Sequence, residues 1–264
     1  MIKLSVVVTT FNEEDHIRDL MDSLVVQKEI HEIIVVDSES TDKTWEILKK
    51  YEESFENVYI YRKKSTRGEG RNYGVEKSTG NFVAFIDADC IANPFWSKYL
   101  IENAEKGREI VAGKVINIGY KPFEHLERVE LQVRGFDVTY PSNNLMYNKE
   151  VFLSLGGFDP WFITAEDIDL NYRAVLSGHE IYYEDRAIVY HRTRDTVMRF
   201  LRQAFWNGYG RKQLTLKHGS LWNNYSLKKM LNTQMTFWGV IRLVTALMGY
   251  FACMIRWKEY PGRK

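Results

Sequence analysis

Apolar positions along the first hundred residues alternate between two periods. Residues 5–10 (Ser-Val-Val-Val-Thr-Thr) form a buried-strand run, and residues 13–26 place Ile17, Leu20, Met21 and Leu24 at helical spacing. The pattern repeats. A run at 32–37 precedes a helical stripe over 41–51 with Trp45 and Leu48 on one face. A strand at 58–61 precedes a short helix over 70–77, and a fourth strand covers 81–87. Strand and helix alternating at this spacing predict an α/β fold with a mostly parallel sheet and helices on both faces.

Ligands of such sheets sit at the carboxyl ends of the strands. Polar residues gather there. Thr9, Thr10, Asn12 and Glu13 follow the first strand, Asp37, Ser38, Ser40 and Asp42 the second, and Asp87-Ala88-Asp89 the fourth. Gly68 and Gly70 precede a helix expected to begin near Arg71, where backbone N–H groups would approach a phosphate. No G-x-G-x-x-G follows the first strand and no G-x-x-x-x-G-K-[ST] occurs, which argues against dinucleotide and P-loop folds.

The pattern after residue 100 is less regular. Residues 108–119 read as one strand or two. Residues 122–134 carry a helical stripe (Phe123, Leu126, Val129, Val133), and 156–160 read as a turn. Residues 166–176 read as a helix with an acidic first turn, which suits the helix dipole, and 180–190 as a strand ending at His191. A basic helix follows from 195 to 206. Last comes an apolar stretch over 235–255 interrupted by Arg242.

Composition narrows the class. In 264 residues, 45% hydrophobic and 14% aromatic, two cysteines exclude a disulfide scaffold, and six scattered histidines give no zinc-finger spacing. Free thiols and the lack of a leader-like opening point to a reducing compartment. The net charge of +1 conceals a split. Residues 186–264 hold 15 Lys and Arg against two acids, a net +13, and residues 1–185 carry −12. A basic end suits an anionic surface. With no nucleic-acid module present, a membrane explains the apolar run better than nucleic acid does.

Two carboxylates at i and i+2 after a strand, Asp87 and Asp89, suit one Mg²⁺ or Mn²⁺ shared with substrate phosphates. Arg71 is a phosphate partner by type, with Lys63, Lys64 and Arg67 in competition for that role. Asn143 and Asn144 read equally as turn residues or, for Asn144, as a contact to a donor sugar. Phe95, Trp96 and Tyr99 read as core packing.

Four ordered stretches resemble the family 2 glycosyltransferases, which have the GT-A fold. They are residues 5–13 (Ser-Val-Val-Val-Thr-Thr-Phe-Asn-Glu), residues 35–44, Gly70-Arg-Asn-Tyr-Gly74 with Thr79-Gly80 and Asp87-Ala-Asp89, and Gly156-Gly-Phe-Asp159 with Ala165-Glu-Asp-Ile-Asp169 and His191. The resemblance covers about residues 1–195. It implies an inverting glycosyltransferase acting on a nucleotide-diphospho-sugar. In that reading Thr9 and Glu13 border the nucleoside, Asp37 faces base or ribose, and Asp87 meets ribose or sugar. Asp89 holds the divalent metal with His191 as second ligand, and Asp167 of the Glu166-Asp167 pair is the general base. Thr10 stands where a proline is common, and Asp37-Ser38 replaces paired aspartates.

The expected organisation is a GT-A domain over 1–194 and a helical, membrane-associating extension over 195–264. The 21-residue stretch 235–255 is just long enough to span a bilayer, yet Arg242 and basic flanks on both sides fit a helix lying on the surface equally well. The acceptor is expected to be a glycan or lipid-linked molecule at the cytoplasmic face of the cell membrane. A membrane-associated binding protein with an inactive GT-A domain is the alternative. A nucleotidyltransferase is disfavoured, because Thr9-Thr10-Phe11-Asn12-Glu13 lacks a Gly-rich basic loop.

Overall fold

The structure, a computed structural model, describes residues 1–119, 128–193, 196–225 and 235–262. Its first part follows the predicted alternation: β1 (Leu4–Thr10), α1 (Ile17–Val25), β2 (Ile30–Asp37), α2 (Thr44–Ser54), β3 (Val58–Arg62), α3 (Arg67–Lys77) and β4 (Phe82–Asp87). These strands are parallel and lie in the order β3-β2-β1-β4. α1 turns Ile17, Leu20, Met21 and Leu24 onto the sheet, all fully buried. Each such side chain contributes about 1.5–3 kcal/mol.

Then come β5 (Cys90–Ala92), α4 (Trp96–Glu105), β6 (Ile110–Ile118), β7 (Gln132–Val133), β8 (Phe136–Asp137), β9 (Leu145–Asn148), α5 (Lys149–Ser154), α6 (Glu166–Leu176) and β10 (Ile181–Arg192). The main sheet has 8 strands in the order β3-β2-β1-β4-β9-β6-β10-β5. β9 runs antiparallel between β4 and β6, so the sheet is mixed at its centre. Residues 110–118 form one strand. Cores lie on both faces, one under α1, α2 and α4, the other under α5 and α6.

Two expectations change. Residues 122–127 of the anticipated helical stripe lie outside the described residues, and 128–134 are not helical. Val133 pairs with Phe136 across Arg134 (φ 48°) and Gly135 (φ 87°), two consecutive left-handed residues that close a hairpin. The helix expected at Gly70 begins at Arg67 behind a Thr66/Glu69 capping box. Gly70 is therefore interior to α3. Its amide bonds the Thr66 carbonyl at 2.9 Å, and a Cβ there would press on Thr9 Cγ2 at 2.9 Å. Gly70 brings α3 close to β1, and its amide is spent inside the helix.

α7 (Val197–His218) and α8 (Phe237–Arg256) close the chain. Their backbones cross where a Cβ on Gly208 would run into the Ala246 carbonyl and one on Gly249 into that of Phe205. Residues 194 and 195, the expected domain junction, lie outside the described residues, as do Lys228, Lys229, Arg263 and Lys264.

Candidate functional site

A cleft of about 670 Å³ opens at the carboxyl ends of β1, β2 and β4, against the start of α3. Thr9, Thr10, Glu13, Ser38, Asp87 and Asp89 are among its walls. The right-twisted parallel strands put these residues side by side, since Thr9 pairs with Asp87 and Thr10 with Asp37.

Asp37 lies beneath the cleft and is fully buried. It accepts from the Ser40 amide at 3.0 Å and from the Ser40 hydroxyl, with Arg62 Nε 3.6 Å away. Ser40 Oγ in turn accepts from the Asn12 amide at 2.9 Å, and Asn12 Oδ1 accepts from the Thr41 amide at 2.8 Å. Asp37 thus anchors a network that locks the loop after β2 to the loop after β1. Asn12 sits at φ 54° inside it. Ser38 Oγ donates to the Ser65 carbonyl at 2.7 Å and joins the same loop to the entry of α3.

Arg71 is 1% exposed and holds two carboxylates from distant parts of the chain. Nη2 meets Asp87 Oδ1 at 2.6 Å, and Nη1 meets Glu166 Oε1 at 2.7 Å. Burial opposes the guanidinium charge, but Asp87 and Glu166 outweigh it and raise its pKa. Burial, with the neighbouring Asp167 charge, also pushes the Glu166 carboxyl up. Both Arg71 amino groups are thereby engaged within the protein.

Asp89 is 6% exposed, and its Oδ2 lies 3.6 Å from His191 Nε2. The pairing of β10 with β5 brings His191 opposite Cys90 and so beside Asp89. His191 Nδ1 is 3.2 Å from Asn117 Oδ1. A carboxylate and an imidazole converging on the wall of an open cleft form a donor set for Mn²⁺ or Mg²⁺ that leaves positions for phosphate oxygens. Among the described residues, no three His, Cys, Asp or Glu converge as a complete metal cage.

Asp167 occupies the first turn of α6. Its Oδ2 accepts from the Ser142 amide at 3.1 Å and its Oδ1 from the Ile168 amide at 2.8 Å. The two N–H donors fix the position of this carboxylate at the start of α6. Asn144, the other residue of that segment singled out from sequence, is fully buried. Oδ1 accepts from Trp96 Nε1 at 2.8 Å, and Nδ2 donates to the carbonyls of Lys114 and Ala187. Of the core set, Trp96 is fully buried while Phe95 is exposed.

The structure therefore gathers Thr9, Glu13, Asp87 and Asp89 on the cleft, with His191 at Asp89 and Glu166-Asp167 joined through Arg71. It sets Asp37 and Asn144 behind the cleft as loop and core anchors. The Thr10 hydroxyl, at the position where proline is common, is buried without a hydrogen-bond partner among the described residues. Sequence reading did not single out Asn72. Its side chain accepts from the Phe158 amide at 2.9 Å and donates to the Phe158 carbonyl at 2.7 Å, fixing the Gly156-Gly157 turn (φ 79° and 67°) on α3. Its place inside Gly70-Arg-Asn-Tyr-Gly74 was the only available signal.

A family model described as Glycosyl transferase family 2 matches residues 5–157, more than half of the chain. A dolichyl N-acetyl-alpha-D-glucosaminyl phosphate 3-beta-D-2,3-diacetamido-2,3-dideoxy-beta-D-glucuronosyltransferase of Methanococcus voltae is 25% identical over 241 residues, covering 82% of this chain and 74% of its own. Glycosyltransferase AglE of Haloferax volcanii is 26% identical over 227 residues, covering 80% and 73%. Among solved structures, S. aureus TarS 1–349 in complex with UDP-GlcNAc matches with a TM-score of 0.64 at 20% identity, over 96% of this chain and 81% of that one. The mannosyltransferase PcManGT of Pyrobaculum calidifontis, in complex with GDP-Man and Mn²⁺, matches with 0.67 at 17%, over 97% and 74%.

Proposed function

The chain belongs to glycosyl transferase family 2, and on that premise we propose that it moves a sugar from a nucleotide-diphospho-sugar in the strand-end cleft to a lipid-linked acceptor, with inversion. The observation that carries this reading is the Arg71 bridge. It ties Asp87, at the donor cleft, to Glu166, beside Asp167, so the two halves of a transfer site share one buried cation. The donor complexes of TarS and PcManGT support a nucleotide-sugar.

In this mechanism Asp167 accepts the proton of the acceptor hydroxyl as the new bond forms at the anomeric carbon. Two backbone donors hold its carboxylate ready. Arg71 keeps Asp87 turned to the sugar side and prevents two adjacent carboxylates from facing each other unpaired. Thr9 and Glu13 wall the nucleoside end. Asp89 and His191 would hold a divalent ion, which when bound offsets charge on the departing diphosphate. The pair fits that task by donor type and by convergence at 3.6 Å.

Residues 1–194 are read as the transferase and 195–264 as its membrane-associating part. α8 is long and apolar enough to cross a bilayer and is mostly unburied. Phe237, Val240, Val244, Leu247, Phe251 and Met254 form an exposed stripe at intervals of three and four residues. With the basic tail, this stripe suits docking at an anionic surface on the cytoplasmic side. The dolichyl-phosphate relative supports a lipid-linked acceptor there.

The test is thermal stabilisation by a panel of nucleoside diphosphates, each with Mn²⁺, Mg²⁺ or chelator, on wild type and Asp89→Ala. A metal-dependent shift with one or two nucleotides, lost in the variant, is expected. Absence of any shift would transfer weight to an inactive, membrane-associated domain.

A further inference from the structure

The C-terminal helices do more than face a membrane. Trp206, Gly210, Gln213 and Lys217 recur along α7 at intervals of four, three and four residues, which places them on one stripe. Each touches the segment that leads into α6. The Trp206 carbonyl accepts from Thr164 Oγ1 at 2.7 Å, and a Cβ on Gly210 would overlap Thr164. Gln213 Nε2 donates to the Trp161 carbonyl at 2.7 Å, while its Oε1 accepts from the Ile163 amide at 3.2 Å. Lys217 Nζ donates to Asp159 Oδ2 at 2.6 Å and to Asp169 Oδ1 at 2.8 Å.

The clamped segment ends in a disfavoured conformation. Ala165, the residue before α6, is left-handed at φ 68°, ψ 19°, and its side chain offers no cap. A non-glycine residue stays there only where its surroundings hold it. Glu166 and Asp167 follow at once, so the direction in which their carboxylates leave the helix depends on how residues 159–165 are held. Gln213 is 1% exposed and spends both ends of its amide on this segment alone. A buried glutamine with two backbone partners in one loop is a fastening device.

We infer that Gln213 is a positioning residue for the transfer step. By bonding Trp161 and Ile163 it sets the loop, the left-handed Ala165 and hence the aim of Asp167. This rests on Asp167 acting as the base, as proposed above. The rest of the α7 stripe shares the work from both sides of Gln213. The glycine crossing with α8 places the clamp and the membrane-facing helix in one rigid pair.

The experiment uses the full chain in detergent or anionic vesicles and compares wild type, Gln213→Leu and Thr164→Val. Gln213→Leu keeps the volume and removes both bonds. Thr164→Val removes the Trp206 bond from the loop side, at a half-buried site where folding is retained. Amide exchange is measured across 161–169 and across β1. On the same samples, nucleoside diphosphate affinity is titrated and turnover of UDP-GlcNAc and GDP-mannose is followed. The expected result is exchange at least tenfold faster over 163–167 with β1 unchanged. Donor affinity should stay within twofold while kcat falls about tenfold or more, since a small misplacement of a reacting group carries that cost. The inference is overturned by unchanged exchange, by exchange rising equally in β1, or by kcat within twofold of wild type. A wild type that turns over neither donor counts against the transferase reading, and the exchange pattern then decides on the clamp by itself.

Discussion

Residues 4–92 and residues 142–218 meet at one site but reach it by different means. In the first region each polar group is placed by the strand it follows. Thr9, Asp87 and Asp89 stand at strand ends, and the loops that leave these ends are tied to one another beside them, by bonds such as Ser40 to Asp37 and Glu13 to Thr44. In the second region the carboxylates proposed for the acceptor side sit on a helix whose aim is fixed from elsewhere. Arg71 reaches Glu166 across 95 residues, Ser142 reaches Asp167 across 25, and Gln213 reaches Ile163 across 50. A donor site can be built from local geometry because a parallel sheet aligns its own ends. An acceptor-side base needs outside support, since a single helix end leaves its first-turn side chains free to turn.

Breaking the buried cation that both regions share should have the largest effect. Arg71→Met leaves Asp87 and the buried Glu166 without their cation. Loss of one partner from a buried ion cluster costs about 3–5 kcal/mol. The variant should melt well below wild type and lose both nucleotide binding and turnover. If melting and nucleotide affinity both stay near wild type, Arg71 does not join the two regions.

The contrast also explains what could be read from the chain. The four parallel strands and their polar ends are local patterns, and the fourth strand's Asp87-Ala88-Asp89 falls where a strand end must. The elements that local pattern does not predict include β5, α4, β9, α5 and the β7–β8 hairpin. β5 spans three residues, too few for a period, and β9 is an antiparallel insertion whose place depends on β4 and β6. Asp37 is expected from sequence at the base or ribose and Asn144 either in a turn or at the donor sugar; both are buried anchors, and sequence does not tell a buried anchor from a ligand contact. Trp96, which donates to Asn144, lies 48 residues away in the chain, and Arg62, the cation beside Asp37, stands at the end of the next strand. Gln213 carries no local signal at all, because a glutamine in a helix is ordinary until its loop partners are known.

The second prediction separates the regions. Asp167→Asn keeps the side chain's shape and one of the two backbone contacts near the α6 N-terminus but removes the proton acceptor. Turnover should fall about a thousandfold, within the range of general-base removal. Nucleoside diphosphate affinity should be unchanged, because the donor cleft is built without Asp167. A matching loss of nucleotide binding would show that the two regions are not separable in this way.

A third prediction asks whether the outer face of α8 belongs to the acceptor region in function. Leu247→Ser with Phe251→Ser removes two exposed apolar groups that contact no part of the proposed site. Binding to anionic vesicles should weaken about thirtyfold, or about 2 kcal/mol for two partly inserted side chains. Transfer to a soluble acceptor analogue should be unaffected. Vesicle flotation measures the first and a coupled nucleotide-release assay the second. Unchanged flotation would remove α8 from the membrane.

The smallest effect sharpens the comparison from within the bridge. Glu166 is buried, and desolvation with the adjacent Asp167 charge holds its carboxyl above the ordinary glutamate range despite Arg71. An acid whose pKa is raised on folding withholds stability once the pH passes that value. Its contribution is fully favourable only below the unfolded pKa, about 4.3, and is lost as pH rises through the raised folded value. Glu166→Gln, which still offers Arg71 an acceptor oxygen, should therefore be as stable as wild type at low pH. At neutral pH it should be more stable than wild type. Turnover should nonetheless drop, since the Arg71 charge would then fall more fully on Asp87 and alter the field at Asp167. Chemical denaturation at pH 4 and pH 7.5 measures the difference. A variant less stable than wild type at pH 7.5 would mean that the Arg71 contact outweighs burial, and that Glu166 belongs to the framework in the same way as the anchors of the donor region.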